Sequence, residues 1–321
     1  MKKFDNNKTI CFLGDSITTN STWISIIYEY YITHFPDSNL KMIGCGVSGG
    51  GAQTALMYME NDLYSYNPDH VVIMYGMNEC DRDTYKTLDA DSELAAYQQR
   101  KIDEFYTKLS EVAKRLKDKG IPFSFCTNTP TNNWIISETP EIKYSNVGLR
   151  KTAEVTKKVA KEFGVECVDF FEPMYSFMEE SAKINKNIEL TWADRVHPNE
   201  YGNSLMATLF LNAQGFEDIK IPTAQEVADG SAFIKESERM KARQEAEMNV
   251  RYFWIAEWLI LKHLYGKPQE EKTEFVKKYI KENMAPTDFF KTVAEKYLDC
   301  VENFEKYYKE HIEIVEKIYN M

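Results

Sequence analysis

Five short apolar runs, with turns and helical stripes between them, restrict the first part of this chain to a small set of folds. They are Ile10-Cys11-Phe12-Leu13, Leu40-Lys41-Met42-Ile43, His70 to Tyr75, Ile121 to Cys126 and Val165 to Phe170. Within the third, Val71 to Tyr75 is apolar without a break, the mark of a strand covered on both faces. The stripes between them include Trp23, Ile24, Ile26, Ile27, Tyr30 and Tyr31, a helix over about Ala52 to Met59, Ile102, Phe105, Leu109, Val112 and Leu116 ahead of Gly120, and Leu149, Ala153, Val155, Val159 and Phe163. These recur at spacings of three and four, as helices do. Strands alternating with helices at this interval imply right-handed crossovers and a helix-covered sheet. The expected class is therefore α/β, a doubly wound, mostly parallel five-stranded sheet, whose ligands collect at the carboxyl ends of the strands.

Chemistry-bearing residues gather at those ends. The first run stops in Gly14-Asp15-Ser16-Ile17-Thr18, where Ser16 can act as a nucleophile or, equally, Asp15 and Ser16 can serve as turn and cap residues. The second and third runs lead into Gly46-Val47-Ser48-Gly49 and Tyr75-Gly76-Met77-Asn78-Glu79, and a later segment reads Asp194-Arg195-Val196-His197-Pro198-Asn199-Glu200-Tyr201-Gly202. Asp194 and His197, three positions apart in a turn or helix start, face one another, so the carboxylate can orient one ring nitrogen and leave the other free for a distant hydroxyl. Of the five histidines only His197 has such a neighbour and a place on the sheet rim.

In order and spacing these four stretches resemble the signature blocks of the SGNH, or GDSL, hydrolases, and the resemblance spans about residues 8 to 215. It implies a flavodoxin-like sheet and a serine esterase. It further implies a triad of Ser16, Asp194 and His197 and an oxyanion hole built from the Ser16 amide, the Gly49 amide and the Asn78 side chain. The family commonly has Asp after the block Asn, where this chain has Glu79; the amide is the donor, so little effect on the chemistry is expected, with a difference in the local support of Asn78 as the consequence to look for. Asp15, Trp134 and Trp192 stand beside the signature residues and are candidate contacts to substrate, as is Trp23. The resemblance covers lipases and thioesterases as well as carbohydrate acetylesterases. With no long apolar lid segment near the site, a short acyl group is favoured, with acetyl on a sugar as the expected substrate.

Other function classes fare worse. A formal charge of -11 disfavours nucleic acid and anionic membrane as partners, and no run of residues approaches a membrane span. The first eight residues carry no apolar leader segment, and the six cysteines, at 11, 45, 80, 126, 167 and 300, include no C-x-x-C pair. Both point to reduced thiols and a cytoplasmic location. No metal-ligand spacing is present, and no cofactor is expected. Gly44-Cys45-Gly46-Val47-Ser48-Gly49 spells G-x-G-x-x-G, so a dinucleotide-binding protein stays open as a minor reading. An inactive hydrolase serving as an interaction scaffold is the third.

From about Thr223 the texture turns to charged helix. The expected division is a hydrolase-like domain over residues 1–222 and a helical region over 223–321. Phe290, Val293, Tyr297, Val301, Phe304, Tyr308, Ile312, Val315 and Tyr319 step at about 3.6, the period of a straight helix. A stripe of that length needs a partner surface, so the region is expected to wall the substrate cleft or to join copies of the chain into a homo-oligomer.

Overall fold

The computed structural model describes residues 1–133, 144–184, 188–216, 218–230 and 237–321. Five strands, β1 (Thr9–Gly14), β2 (Lys41–Gly46), β3 (His70–Met74), β4 (Phe123–Cys126) and β5 (Cys167–Val168), form one parallel sheet in the order β2-β1-β3-β4-β5. The chain steps to one side of β1 and then crosses to the other, which leaves a switch point at the carboxyl end of β1. Alternate side chains supply the two faces: Ile10, Phe12, Met42, Val72 and Met74 enter one apolar cluster, and Cys11, Leu13, Ile43, Val71 and Ile73 the other.

Helices α1 (Ser16–Thr19), α2 (Thr22–His34), α3 (Ala52–Tyr58), α4 (Ser92–Asp118), α5 (Ser145–Phe163), α6 (Phe171–Ile184) and α7 (Glu200–Ala213) flank the sheet. Boundaries differ from the sequence expectation where glycine or a side chain intervenes. β2 runs on through Gly44-Cys45-Gly46. A Cβ at Gly46 would lie 2.2 Å from the Thr19 nitrogen, and one at Gly44 2.4 Å from Ser21 Oγ. The G-x-G pair thus lets the chain after β1 press onto a strand; it is not the open phosphate loop of a dinucleotide fold. β5 ends after two residues because Thr127 Oγ1 takes the amides of Phe170 and Phe171, turning the chain into α6.

The C-terminal region comprises α8 (Ala224–Ala228), α9 (Glu238–Leu259), α10 (Gln269–Lys281) and α11 (Asp288–Lys317). It is built into the same body: Met240 and Ile318 join one sheet-face cluster and Val315 the other, while Val47 and Tyr58 join the cluster between α9, α10 and α11. None of the nine residues of the long stripe is exposed, so it packs within the chain. The expected straight helix is instead kinked at Asn303, where φ is -121° and the side-chain amide donates to the Asp299 carbonyl.

A second tie is ionic. Glu247 of α9 is fully buried and accepts from the Gly44 amide at 2.7 Å, from Arg243 at 2.8 Å and from the Ser21 hydroxyl. Burial works against that charge, and Arg243, His311 and Ser21 outweigh it, drawing the carboxyl down to about 2. Arg251, also fully buried, grips Asp62 with both terminal nitrogens, at 2.5 and 2.6 Å, and reaches Tyr66 at 3.1 Å. Because β2 is the outermost strand, its outward backbone groups need partners. Glu247 serves Gly44, and Tyr319 Oη accepts from the Leu40 amide just before the strand.

Candidate active site

Ser16 is the first residue of α1, directly after β1, where an amide has no acceptor within its own helix. Asp15 caps that helix, its carboxylate accepting from the Ile17 amide at 3.0 Å. The corner leaves no room at Gly14, where a Cβ would meet Thr18 Oγ1 at 2.1 Å and the Met74 carbonyl at 2.8 Å. Asp15 is itself buried. Desolvation pushes its carboxyl up to about 6, against the Ile17 amide and the neighbouring His197 and Arg82.

The turn carrying Asp194 and His197 is held on several sides. The Trp192 amide donates to the His197 carbonyl at 2.8 Å, Thr191 bridges Pro198, and the Asn132 amide after β4 donates to the Arg195 carbonyl at 2.9 Å. Asn199 caps α7 through the Tyr201 and Gly202 amides and donates back to the Glu189 and Thr191 carbonyls. Gly202 is required there, since a Cβ would lie 2.1 Å from the Leu190 carbonyl.

The result is a continuous relay. Ser16 Oγ stands 2.7 Å from His197 Nε2, and His197 Nδ1 stands 2.5 Å from Asp194 Oδ2. The other Asp194 oxygen accepts from the Val196 and His197 amides at 2.9 and 3.0 Å. Burial raises the Asp194 carboxyl, but the His197 ring and these two amides prevail and hold it below the usual range. An ionised Asp194 places the proton on Nδ1 and leaves Nε2 as an acceptor aimed at the serine hydroxyl.

Two loops face this corner from the neighbouring strands. After β2, the Gly50 amide donates to the Val47 carbonyl at 2.8 Å and Gly49 takes φ of +71°, a type II turn with glycine where the conformation demands it. After β3, one hydrogen of the Asn78 side-chain amide goes to the Gly50 carbonyl at 2.7 Å, and the amide carries a second. Since β2, β1 and β3 are adjacent, Ser16, Gly49 and Asn78 all emerge at one rim of the sheet. The arrangement can perform acyl transfer: a hydroxyl against a ring base, with N–H donors on the adjoining loops.

Glu79 has a larger structural part than the sequence suggested. Its two oxygens accept from the Ala52 amide at 2.7 Å and the Gly76 amide at 3.0 Å, tying the start of α3 to the end of β3 around Asn78. Desolvation, with Asp15 adding to it, pushes this carboxyl up to about 7. A free glutamate releases its proton near 4.5. As pH rises from 4.5 through 7 the unfolded chain ionises first, so this group stabilises the fold at low pH and loses that contribution as pH climbs. In Glu79→Gln the titration is absent. The stability of the native protein relative to that variant is therefore expected to fall by about 3 kcal/mol between pH 4.5 and 8 in urea unfolding; a pH-independent difference would refute it.

A cleft of about 510 Å³ opens beside these loops, lined among others by Gly49, Gln53, Asn78, Glu79, Trp258 and Lys262. Of the tryptophans proposed as substrate contacts, Trp192 lies on the His197 turn and is 55% exposed, and Trp23 is fully buried against Phe12, Phe170 and Phe210. Trp134 lies outside the described residues. Among the described residues no group of His, Cys, Asp and Glu is arranged to hold a metal ion, and no helix is long and apolar enough to cross a membrane. Glu79, Asn199 and Trp258 were not singled out as functional from sequence. Only Glu79 left a signal, as a departure from the family block.

Comparison with known proteins adds the following. The model of the GDSL-like Lipase/Acylhydrolase family matches residues 10–210. The acetylxylan esterase of Geobacillus stearothermophilus is 24% identical over 237 residues, covering 68% of this chain and 99% of its own. A gut microbial diltiazem-metabolizing enzyme shares the fold over 100% of this chain and 96% of its own, with a TM-score of 0.82 at 19% identity. An acetyl xylan esterase structure aligns with 64% of this chain and 98% of its own, with a TM-score of 0.51 at 23% identity.

Proposed function

The chain belongs to the GDSL-like lipase/acylhydrolase family and is a carboxylic ester hydrolase, and from that premise we propose that it removes a short acyl group, acetyl, from a carbohydrate ester through an acyl intermediate on Ser16. The observation that carries this reading is the 2.7 Å contact between Ser16 Oγ and His197 Nε2. His197 takes the hydroxyl proton as Oγ attacks the acyl carbon, and Asp194 stabilises the resulting imidazolium and keeps its ring oriented. The Ser16 amide, the Gly49 amide and the second Asn78 hydrogen receive the negative charge that develops on the carbonyl oxygen. The imidazolium then protonates the leaving alcohol, and water, activated by the same ring, releases the acid.

Support for acetyl as the acyl group comes from the acetylxylan esterase relative. Support for a sugar as the alcohol comes from the exposed indole of Trp192, on the turn that carries His197, an apolar face on which a pyranose ring can stack. The unpaired cysteines, five of the six buried, suit the reducing cytoplasm.

The test is a series of p-nitrophenyl esters from acetate to palmitate, followed by acetylated xylo-oligosaccharides and diltiazem. We expect the highest kcat/KM on acetate, a decline of roughly tenfold or more by octanoate as the chain outgrows a small acyl pocket, and acetate release from the oligosaccharides. A maximum at long chains would make the enzyme a lipase or long-chain thioesterase instead. Faster turnover of diltiazem than of any acetylated saccharide would take the sugar out of the assignment.

A further inference from the structure

We infer that Trp258, supplied by the C-terminal helical region, is a positioning residue of the ester-hydrolysing site, holding in place the turn that presents the Gly49 amide. This rests on the acyl-transfer reading above and adds to it a residue from outside the segment that matches the family.

The turn Val47–Gly50 and the residues after it are fixed through their backbone polar groups. Asn78 donates to the Gly50 carbonyl at 2.7 Å, Thr54 Oγ1 accepts from the Gly51 amide at 3.1 Å, and Glu79 accepts from the Ala52 amide at 2.7 Å. All three partners come from the hydrolase region. The Gly49 carbonyl is different: its partner is the indole N–H of Trp258, at 2.7 Å. Together with the Gly50 amide bond to Val47, this holds the peptide linking Gly49 and Gly50 from both ends. Leu259 closes the same spot sterically, with its Cδ2 2.8 Å from where a Gly49 Cβ would sit.

The end of α9 is a firm anchor for this purpose. Tyr58 of α3 donates to the Glu257 carbonyl at 3.1 Å, Tyr265 donates to the Met57 carbonyl at 3.1 Å, and the Tyr58 and Trp254 rings lie 5.5 Å apart. Lys262 covers the Trp258 ring, its Nζ 4.3 Å from the centroid. The indole is thus held on a helix that is itself tied to α3, and it transmits that position to the Gly49 turn. An oxyanion donor matters most once charge has developed on the substrate oxygen, so loosening the turn should slow the chemical step and leave substrate binding nearly unchanged.

Trp258→Phe keeps the aromatic packing and removes the N–H. Assayed on p-nitrophenyl acetate in the full chain, with competent sites counted by organophosphate titration, kcat per site is expected to fall roughly 5- to 30-fold with KM within twofold, less than the loss typical of deleting a donor outright. Counting sites keeps the result interpretable where part of the variant misfolds. An unchanged kcat, or a loss confined to KM, would overturn the inference and leave Trp258 as a wall of the cleft. Asn78→Ala, run in parallel, separates the two levels. If Asn78→Ala is impaired and Trp258→Phe is not, only this inference fails; if neither is impaired, the acyl-transfer reading itself fails.

Discussion

Ser16→Ala is expected to lower kcat on a short ester by about 10,000-fold or more, with the fold unchanged. The expectation follows from what the hydroxyl touches. Ser16 Oγ is bonded to His197 Nε2, and the helix cap at this corner is supplied by Asp15, so removing Oγ takes away the attacking atom without unmaking the corner. Alanine also suits a helix start, and the stability change should stay within about 0.5 kcal/mol. Organophosphate labelling gives an independent readout: the intact protein gains one phosphyl group on the tryptic peptide containing Ser16, and the variant gains none. Retention of more than about one per cent of activity would place the nucleophile elsewhere.

Asp62→Ala is expected to destabilise the protein by about 3 to 5 kcal/mol, the loss typical of breaking a buried ion pair by removing one partner. Arg251 cannot follow its lost partner into solvent. The guanidinium is fully buried, and Tyr66 offers it a single remaining hydroxyl. A double replacement, Asp62→Leu with Arg251→Met, removes both charges and should recover much of the loss, since two apolar side chains of similar volume need no desolvation. Urea unfolding of the native chain, Asp62→Leu, Arg251→Met and the double replacement, which together close one cycle, measures the coupling directly. If the single and double variants prove equally destabilised, packing and not charge governs the site.

How much of this was readable in advance depends on which signals side chains carry. The sheet was, because a strand covered on both faces must be apolar along its length, as Val71 to Tyr75 is. That Ser16, Asp194 and His197 would meet was expected from the resemblance of the four blocks taken together, since singly each residue has an ordinary use in a turn or a cap, and the contacts Ser16–His197 and His197–Asp194 are present. Helix α7 was not. Gly202 to Leu211 are all buried, so no polar face alternates with the apolar one and no stripe appears. The charged segment of α9 misleads in the opposite direction: Arg243, Glu247 and Arg251 have the composition of a solvated face, and all three are buried. Trp258 was missed as a positioning residue, and the partners of Glu79 were not readable although its effect on the support of Asn78 was, because in both cases the partners are backbone groups, which look alike at every position. The Trp258 bond spans 209 residues of sequence, beyond the reach of any periodicity.

The covering of β2 has a consequence for synthesis. The Gly44 amide waits for a carboxylate 203 residues further along the chain, and the Leu40 amide for a phenol 279 residues on. At a translation rate of about 5 to 20 residues per second, this edge leaves the ribosome some ten seconds or more before its cover has been made. Throughout that interval the nascent hydrolase region presents an uncovered strand edge, so cellular yield should depend on translation speed and on chaperones that shield strand edges, even in a protein whose finished form is well closed.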